Sequence, residues 1–403
     1  MSTSKQIPTS FEPIYAHIVG WGMAVPESIM TNDDLSSFVE TNHEWILSRT
    51  GIRERRIANE TESTTQLAYQ AAKKALEVAD ILPIDIDMII VATSTPENIF
   101  PSTASIVQDW LGASRAGAFD LSAACSGFVY ALDMATQSVR SGARKNVLVI
   151  GAETMSRVLD WSDRSTCILF GDGAGAVILQ ASTKEGGILA SELRSDGSGC
   201  DVLTIPTIGS RDSHHETINT HLQMNRMYMV GGDVFKFATR VVSQSIEHVV
   251  TKAGLTLSDI DLIVPHQANI RILQSASKKL GIPIEQFVCN LDRYGNTSAA
   301  SIPIALCEAV EQGRIKENHH LVFIGFGGGL TWASMIVKWG IPKPQERQPR
   351  VINKRRRQLS YWLARWRSRI ARWRRSSGAS LERFRPEGGK YARLKHRVDN
   401  QDM

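Results

Sequence analysis

Among the residues able to do chemistry, Cys125 has the most telling neighbourhood. It follows Ala118-Phe119-Asp120-Leu121-Ser122-Ala123-Ala124, a strand-like run ending in small residues, and a helix is expected from Phe128. A sulfur at such a junction meets the positive end of the helix, whose N–H groups favour the nucleophilic thiolate. The competing reading is a buried structural cysteine. His266, in Val264-Pro265-His266-Gln267-Ala268-Asn269, leaves an expected buried strand at the end where α/β sites gather. It is either a catalyst or a satisfied polar group. Asn296, in Tyr294-Gly295-Asn296-Thr297-Ser298-Ala299-Ala300-Ser301, either caps the next helix or offers an N–H to a developing oxyanion. Gly327-Gly328-Gly329 is a strand-end turn or bare backbone offered to a carbonyl oxygen. Gly171-Asp172-Gly173-Ala174-Gly175 has the wrong spacing for a dinucleotide fingerprint, and a strand rather than a helix follows it. The remaining cysteines, Cys167, Cys200, Cys289 and Cys307, lack a comparable setting and read as structural. His214, His215, His319 and His320 are weaker candidates than His266.

A repeated unit positions these residues. Asp85-Ile86-Asp87-Met88-Ile89-Ile90 is matched by Asp259-Ile260-Asp261-Leu262-Ile263-Val264, and Val147-Leu148-Val149-Ile150-Gly151 by Leu321-Val322-Phe323-Ile324-Gly325, at one common offset. An amphipathic segment precedes each acidic pair (Leu67 to Ala79, Ala238 to Ala253). An apolar helical segment ending in glycine separates the paired strands (Tyr130 to Gly142, Ile302 to Gly313), and a glycine cluster and a strand close each half. Short continuous apolar runs are buried strands, and strands alternating with helices imply sheets covered by helices. The expected fold is therefore a duplicated α/β unit. Its divisions are an arm over 1–14, an N-terminal half over 15–185, a C-terminal half over 186–339 and a tail over 340–403. Ser191 to Asp233 fits neither half and reads as an excursion on the surface or over a site.

Composition narrows the class. The 403 residues are 42% hydrophobic and 22% charged, which excludes a collagenous, disulfide-dense or wholly disordered chain. Five scattered cysteines without a C-x-x-C pair argue against structural zinc and a disulfide framework, and favour a reducing compartment. With no signal-like or membrane-spanning apolar run, the expectation is a cytoplasmic protein. The net charge of +5 hides an asymmetry. Residues 340–403 hold 19 Lys/Arg against 5 Asp/Glu, leaving 27 against 36 in the body.

The motifs A-A-C-S-G-F, P-H-Q-A-N, G-N-T-S-A-A-S and F-G-G-G-L-T-W, with Glu44-Trp45-Ile46-Leu47-Ser48-Arg49-Thr50-Gly51-Ile52-Arg53-Glu54-Arg55, together resemble the β-ketoacyl-acyl-carrier-protein synthase III family. The resemblance runs from about Tyr15 to Trp339. It implies a thiolase-like fold, five layers in the order α-β-α-β-α, and a homodimer. It also implies a decarboxylative Claisen condensation of an acyl-CoA, with acetyl-CoA the expected donor, and malonyl-acyl-carrier protein. The product is a 3-oxoacyl-carrier protein that starts type II fatty acid synthesis, and coenzyme A thioester is a substrate, with no cofactor and no metal. By the same resemblance Cys125 is the acyl-accepting nucleophile, and His266 and Asn296 support decarboxylation. Cys125 and Gly328 form the oxyanion hole. Thr41, Trp45, Arg49, Arg164 and Asn269 contact coenzyme A, with Trp45 and Arg164 on the two faces of the adenine. Lys236 and Arg271 meet the carrier protein, and Phe100 reaches the partner subunit's acyl pocket. The longer excursion before Lys236 departs from the family pattern. Two alternatives stand beside this reading. One is a ketosynthase or acyltransferase of secondary metabolism on the same fold; the other is a catalytically idle adaptor for a membrane surface or nucleic acid.

The tail has no counterpart in that family. Leu359, Leu363, Trp366, Ile370 and Trp373, with Trp362, fall within an arc of about 100° on a helix, and arginines flank or oppose them. Gln358 to Arg375 is therefore a candidate amphipathic helix behind a linker containing Pro342, Pro344 and Pro349. The expectation is peripheral association with an anionic membrane. The competing readings are a solvated disordered tail, a helix docked on the acidic body, and nucleic-acid binding, for which no recognition motif is present.

Overall fold

The structure is a computed structural model that describes residues 13–207, 223–340 and 351–382, the side chains of 351, 352 and 376–382 excepted. His214, His215, the proline linker, most of the arm and the end of the tail lie outside the described residues. The first half runs β1 (Tyr15–Ala24), β2 (Ile29–Thr31), α1 (Asn32–Ser36), α2 (His43–Thr50), β3 (Glu54–Arg56), α3 (Thr64–Ala79), β4 (Met88–Ala92), α4 (Thr103–Leu111), β5 (Gly117–Leu121), α5 (Gly127–Arg140), β6 (Asn146–Thr154), α6 (Arg164–Cys167) and β7 (Asp172–Ser182). The second runs β8 (Gly187–Ser195), β9 (Leu203–Thr204), β10 (Tyr228–Met229), α7 (Gly231–Lys252), β11 (Leu262–Pro265), α8 (Ile270–Leu280), α9 (Leu291–Tyr294), α10 (Ser301–Glu311), β12 (His320–Gly327) and β13 (Thr331–Lys338). Helix α11 (Val351–Glu382) follows.

The duplication is visible in the sheets. One has the order β1-β7-β6-β4-β5, the other β8-β13-β12-β11. Equivalent strands pair in equivalent directions: β4 with β6 and β11 with β12 are parallel, β6 with β7 and β12 with β13 antiparallel. A fifth strand survives in the second sheet only as a parallel bridge from Ile263 to Phe287. Helices α3 and α4 cover the first sheet, α5 and α10 lie between the sheets, and α7 and α8 cover the second. The continuous apolar runs of β4, β6, β11 and β12 follow from that double cover, since both faces of each strand are buried. Among the described residues no helix is long and apolar enough to cross a membrane.

The structure revises two sequence expectations here. The excursion does not begin at Ser191, because Ser191 to Ser195 belong to β8, paired with β13. The cluster Gly171 to Gly175 does not precede its strand but mostly belongs to it, since β7 begins at Asp172. Gly173 and Gly175 lie inside β7, where a Cβ on Gly175 would stand 2.6 Å from that of Pro303, so glycine lets α10 approach the sheet.

Helix α11 packs on the outer surface of α3 and α4, through a face other than its apolar stripe. Arg357, only 2% exposed, pairs with Asp80 at 2.7 Å, and Asn353 donates to the same carboxylate. Tyr361 meets the Tyr69 ring edge-on, while Ala364 and Ser360 lie against Gly112. Leu359, Trp362, Leu363, Trp366 and Trp373 are exposed.

Candidate active site

Cys125 sits in a 3-10 turn (Ala124–Ser126) between β5 and α5, as the strand-to-helix reading expects. The turn is tight: Ala124 has φ of +45°, a strained conformation for a residue bearing a Cβ. The thiol is buried, and Ser298, also at positive φ, lies beside it. Gly327 presses on it from β12. A Cβ there would stand 2.8 Å from the Cβ of Cys125, 3.0 Å from its Sγ and 3.1 Å from its N, so only glycine fits. Gly328 lies next along and, like Cys125, lines the cavity.

Burial opposes the expected favoured thiolate. Burial, with the Glu153 carboxyl nearby, pushes the Cys125 thiol up to about 12. The positive end of α5 works the other way, but for this buried sulfur the cost of an unsolvated thiolate is the larger effect. His266 shows the same physics with opposite sign. Burial lowers it to about 3, so at neutral pH the imidazole is uncharged. Its Nδ1 has no hydrogen-bond partner among the described residues, and its ring meets Phe326 edge-on.

The two loops that present His266 and Asn296 are tied together by Gln267. Its amide Nε2 donates to the carbonyls of Pro265 and Val288, and its Oε1 accepts from the Asn290 N–H. Buried Glu308 then anchors the second loop, accepting from Asn290, Arg293 and Tyr294. Asn296 hydrogen-bonds through its backbone to Leu169 and Gly171, and its Oδ1 accepts from the Ser298 N–H. Asn296 thus caps a local turn, and this orientation leaves its amide N–H donors as the groups available to the cavity it lines.

That cavity, of about 860 Å³, is lined by Trp45, Arg49, Cys125, Asn269, Arg271 and Asn296 together with His266 and Gly328. Asn269 caps α8 by accepting from the Arg271 N–H and donates to the Arg49 carbonyl, which joins α8 to α2. Two guanidinium groups lie over the Trp45 ring, Arg49 at 4.6 Å and Arg164 at 4.9 Å from its centre. A purine enters between Trp45 and Arg164 only if Arg164, held by the Glu40 carbonyl at 2.8 Å, swings aside. Arg271 stacks over Phe235 at 5.4 Å. Four of the predicted residues do not line the cavity: Thr41, whose hydroxyl is buried without a hydrogen-bond partner among the described residues, Arg164, the exposed Phe100, and Lys236, which is exposed and paired with Asp233.

Sequence reasoning missed two features. Met155, Phe170, Leu203, Ile205 and Met227 form an apolar wall beside Cys125; the last three lie in the stretch read as an excursion over a site. Glu153, fully buried at the end of β6, accepts from the N–H of Ser94 and the hydroxyls of Thr93 and Thr95, and Ser298 lies between it and Cys125. Burial raises this carboxyl. Glu153 follows an apolar strand with no motif around it, so only the position after Val147 to Ile150 hinted at it. Among the described residues no group of three or more His, Cys, Asp or Glu side chains is arranged to hold a metal ion.

Known proteins resemble this chain over the same span. Residues 119–197 match the family described as 3-oxoacyl-[acyl-carrier-protein (ACP)] synthase III, and residues 250–339 match its C-terminal part. The β-ketoacyl-[acyl-carrier-protein] synthase III of Caldanaerobacter subterraneus is 51% identical over 329 residues, 81% of this chain and 99% of the relative. The crystal structure of the 3-oxoacyl-[acyl-carrier-protein] synthase III from Aquifex aeolicus superposes with a TM-score of 0.75 at 46% identity, covering 80% of this chain and 99% of that one. The priming β-ketosynthase of the R1128 polyketide pathway superposes with 0.76 at 35% identity, over 84% and 99%. Nearly all of each relative is thus matched by about four-fifths of this chain. The buried cysteine on a strained turn, the neutral histidine and the oriented asparagine stand within that shared part, and the chain belongs to the β-ketoacyl-acyl-carrier-protein synthase III family of thiolase-like condensing acyltransferases.

Proposed function

We propose that the chain condenses an acyl-CoA, acetyl-CoA first among them, with malonyl-acyl-carrier protein through an acyl-Cys125 intermediate. The observation that carries this is the convergence of Cys125, His266 and Asn296 on one cavity that Trp45 and Arg49 also line. In the first half-reaction the Cys125 sulfur attacks the thioester carbonyl, the C–S bond to coenzyme A breaks, and the thiol proton ends on the departing thiol. In the second, malonyl-carrier protein loses carbon dioxide, and the electron pair of the broken C–C bond becomes an enolate. An uncharged imidazole and an amide donate hydrogen bonds to that oxygen without giving up a proton, which suits a His266 kept neutral by burial. The enolate carbon then attacks acyl-Cys125. The N–H groups of Cys125 and Gly328 hold the tetrahedral oxyanion, and its collapse releases a 3-oxoacyl-carrier protein and a Cys125 thiolate that takes up one proton.

The same reading gives Trp45, Arg49, Arg164, Thr41 and Asn269 to coenzyme A, and Arg271 and Lys236 to the acidic carrier protein. It also makes the protein a homodimer. The support for the dimer is the exposed edge strand β5, with Phe119 outward, beside Ile99 and Phe100, the latter 85% exposed. A second reading concerns place: peripheral association with an anionic membrane through 358–375, supported by the exposed tryptophans of α11.

The test is intact-mass measurement after mixing the protein with a panel of acyl-CoA thioesters. One acyl group is expected on Cys125, fastest with acetyl-CoA, followed by condensation on adding malonyl-carrier protein. A clear preference for longer or branched donors would favour the secondary-metabolism alternative, for which the 35% identical polyketide neighbour is the support. No acyl-enzyme with any donor would sink the mechanism.

A further inference from the structure

Helix α11 has two faces, and the body uses only one. Asn353, Arg357, Ser360, Tyr361 and Ala364 turn toward α3 and α4, where Arg357 pairs with Asp80 and Ala364 rests against Gly112. At about 100° per residue, Leu359, Trp362, Leu363 and Trp366 lie within an arc of roughly 100° on the far side. Trp362 is 60% and Trp366 54% exposed, and their rings stack 6.3 Å apart at 9° to one another. Arg356 and Arg367 flank this stripe along one edge and Arg369 and Arg372 along the other, all exposed, while Arg365 donates to the Tyr69 hydroxyl of α3. Between 353 and 375 there is no Asp or Glu.

We propose that this outer stripe of α11 lies in the headgroup boundary of an anionic phospholipid membrane, with the helix parallel to the surface and the catalytic body held above it by the Arg357–Asp80 side. The proposal rests on the peripheral reading given above and commits it to one face and one orientation. The chemistry selects the occupant. Indole rings have an apolar body and one N–H, which suits the depth where acyl chains meet headgroups, and leucines beside them add apolar area. Arginines on both edges reach lipid phosphates while their stems stay with the apolar stripe. A nucleic acid would satisfy the arginines but leave the Leu-Trp stripe in water. A second copy on the same face would set one arginine-rich edge against another, and like charges so placed repel.

The test uses the full chain, the variant Trp362→Gln/Trp366→Gln, and Arg367→Gln/Arg369→Gln/Arg372→Gln. All three are floated with vesicles of phosphatidylcholine alone and of equal parts phosphatidylcholine and phosphatidylglycerol, at low and high salt. The full chain is expected to float with the anionic vesicles at low salt, with a blue shift of tryptophan emission. The tryptophan variant should lose at least about tenfold in partitioning, and the arginine variant roughly fivefold per residue removed. Acylation of Cys125 should be unchanged in both. If the tryptophan variant floats as well as the full chain, the face is wrong while the peripheral association stands. If the full chain does not float with anionic vesicles at all, both fall. If the tryptophan variant turns a dimer into monomers by sedimentation, the stripe is a subunit contact and the proposal is overturned. It is likewise overturned if duplex DNA displaces vesicles from the full chain and binds the tryptophan variant equally well.

Discussion

Replacing Gly327 by alanine tests whether the backbone of β12 sets the position of the nucleophile. The added Cβ would stand 3.0 Å from the Cys125 sulfur and 2.8 Å from its Cβ. Carbon atoms in ordinary contact sit about 3.5–4.0 Å apart, so something must move by roughly 0.5–1 Å. The turn around Cys125 is already strained at Ala124 and backed by α5, which leaves the side chain and its N–H as the parts that yield. Overpacking of this kind typically costs about 1–3 kcal/mol in stability. A misplacement near 1 Å at reacting atoms costs on the order of 10² in rate. Gly327→Ala is therefore expected to fold, with a lower melting temperature, and to acylate Cys125 about a hundred times more slowly in a stopped-flow assay of coenzyme A release. Acylation within threefold of the unaltered protein, at an unchanged melting temperature, would show that the pocket adapts and that the fixed-nucleophile argument is wrong.

Cys125→Ala should abolish both acyl uptake and condensation; labelled acetyl transfer by that variant would remove Cys125 from the mechanism. His266→Ala and Asn296→Ala should each lower malonyl decarboxylation by about 10²–10³ while acylation of Cys125 changes far less; equal loss in both half-reactions, with the fold intact by circular dichroism, would contradict the division of labour. Because the Cys125 thiol is raised to about 12, alkylation by iodoacetamide should climb about tenfold per pH unit from neutral pH to pH 10 without levelling; a plateau below pH 8 would mean that the helix end prevails over burial. Removing one partner of a buried ion pair costs about 3–5 kcal/mol, so Arg357→Ala, which takes the guanidinium away from Asp80, should loosen α11 on α3 and α4, seen as faster hydrogen exchange over 353–375 with the body unchanged.

The parts of this protein that could be read from its sequence are those in which one residue type has one physical use. Continuous apolar runs at a common offset pointed to two equivalent sheets, and the strand order repeats in β8-β13-β12-β11 down to the residual bridge at Phe287. Cys125 and His266 were found because each sits where a strand ends, and Asn296 because it sits in a turn of small residues that opens a helix. The charge state of Cys125 was not legible. A strand-to-helix junction says where the sulfur is, but how much water reaches it depends on Gly327, Ser298 and Glu153, brought in from distant segments. The tail shows the limit most sharply. Periodicity found the stripe from Leu359 to Trp373 and treated it as the face in search of apolar cover. The docking went through Arg357, Ser360, Tyr361 and Ala364 instead, since close approach to Gly112 demands small side chains and Asp80 supplies a partner for a buried guanidinium. Hydrophobicity measures which face avoids water, whereas docking depends on the surface it must fit. In α11 the two differ, and that difference leaves a tryptophan face exposed on a helix already fixed to its protein.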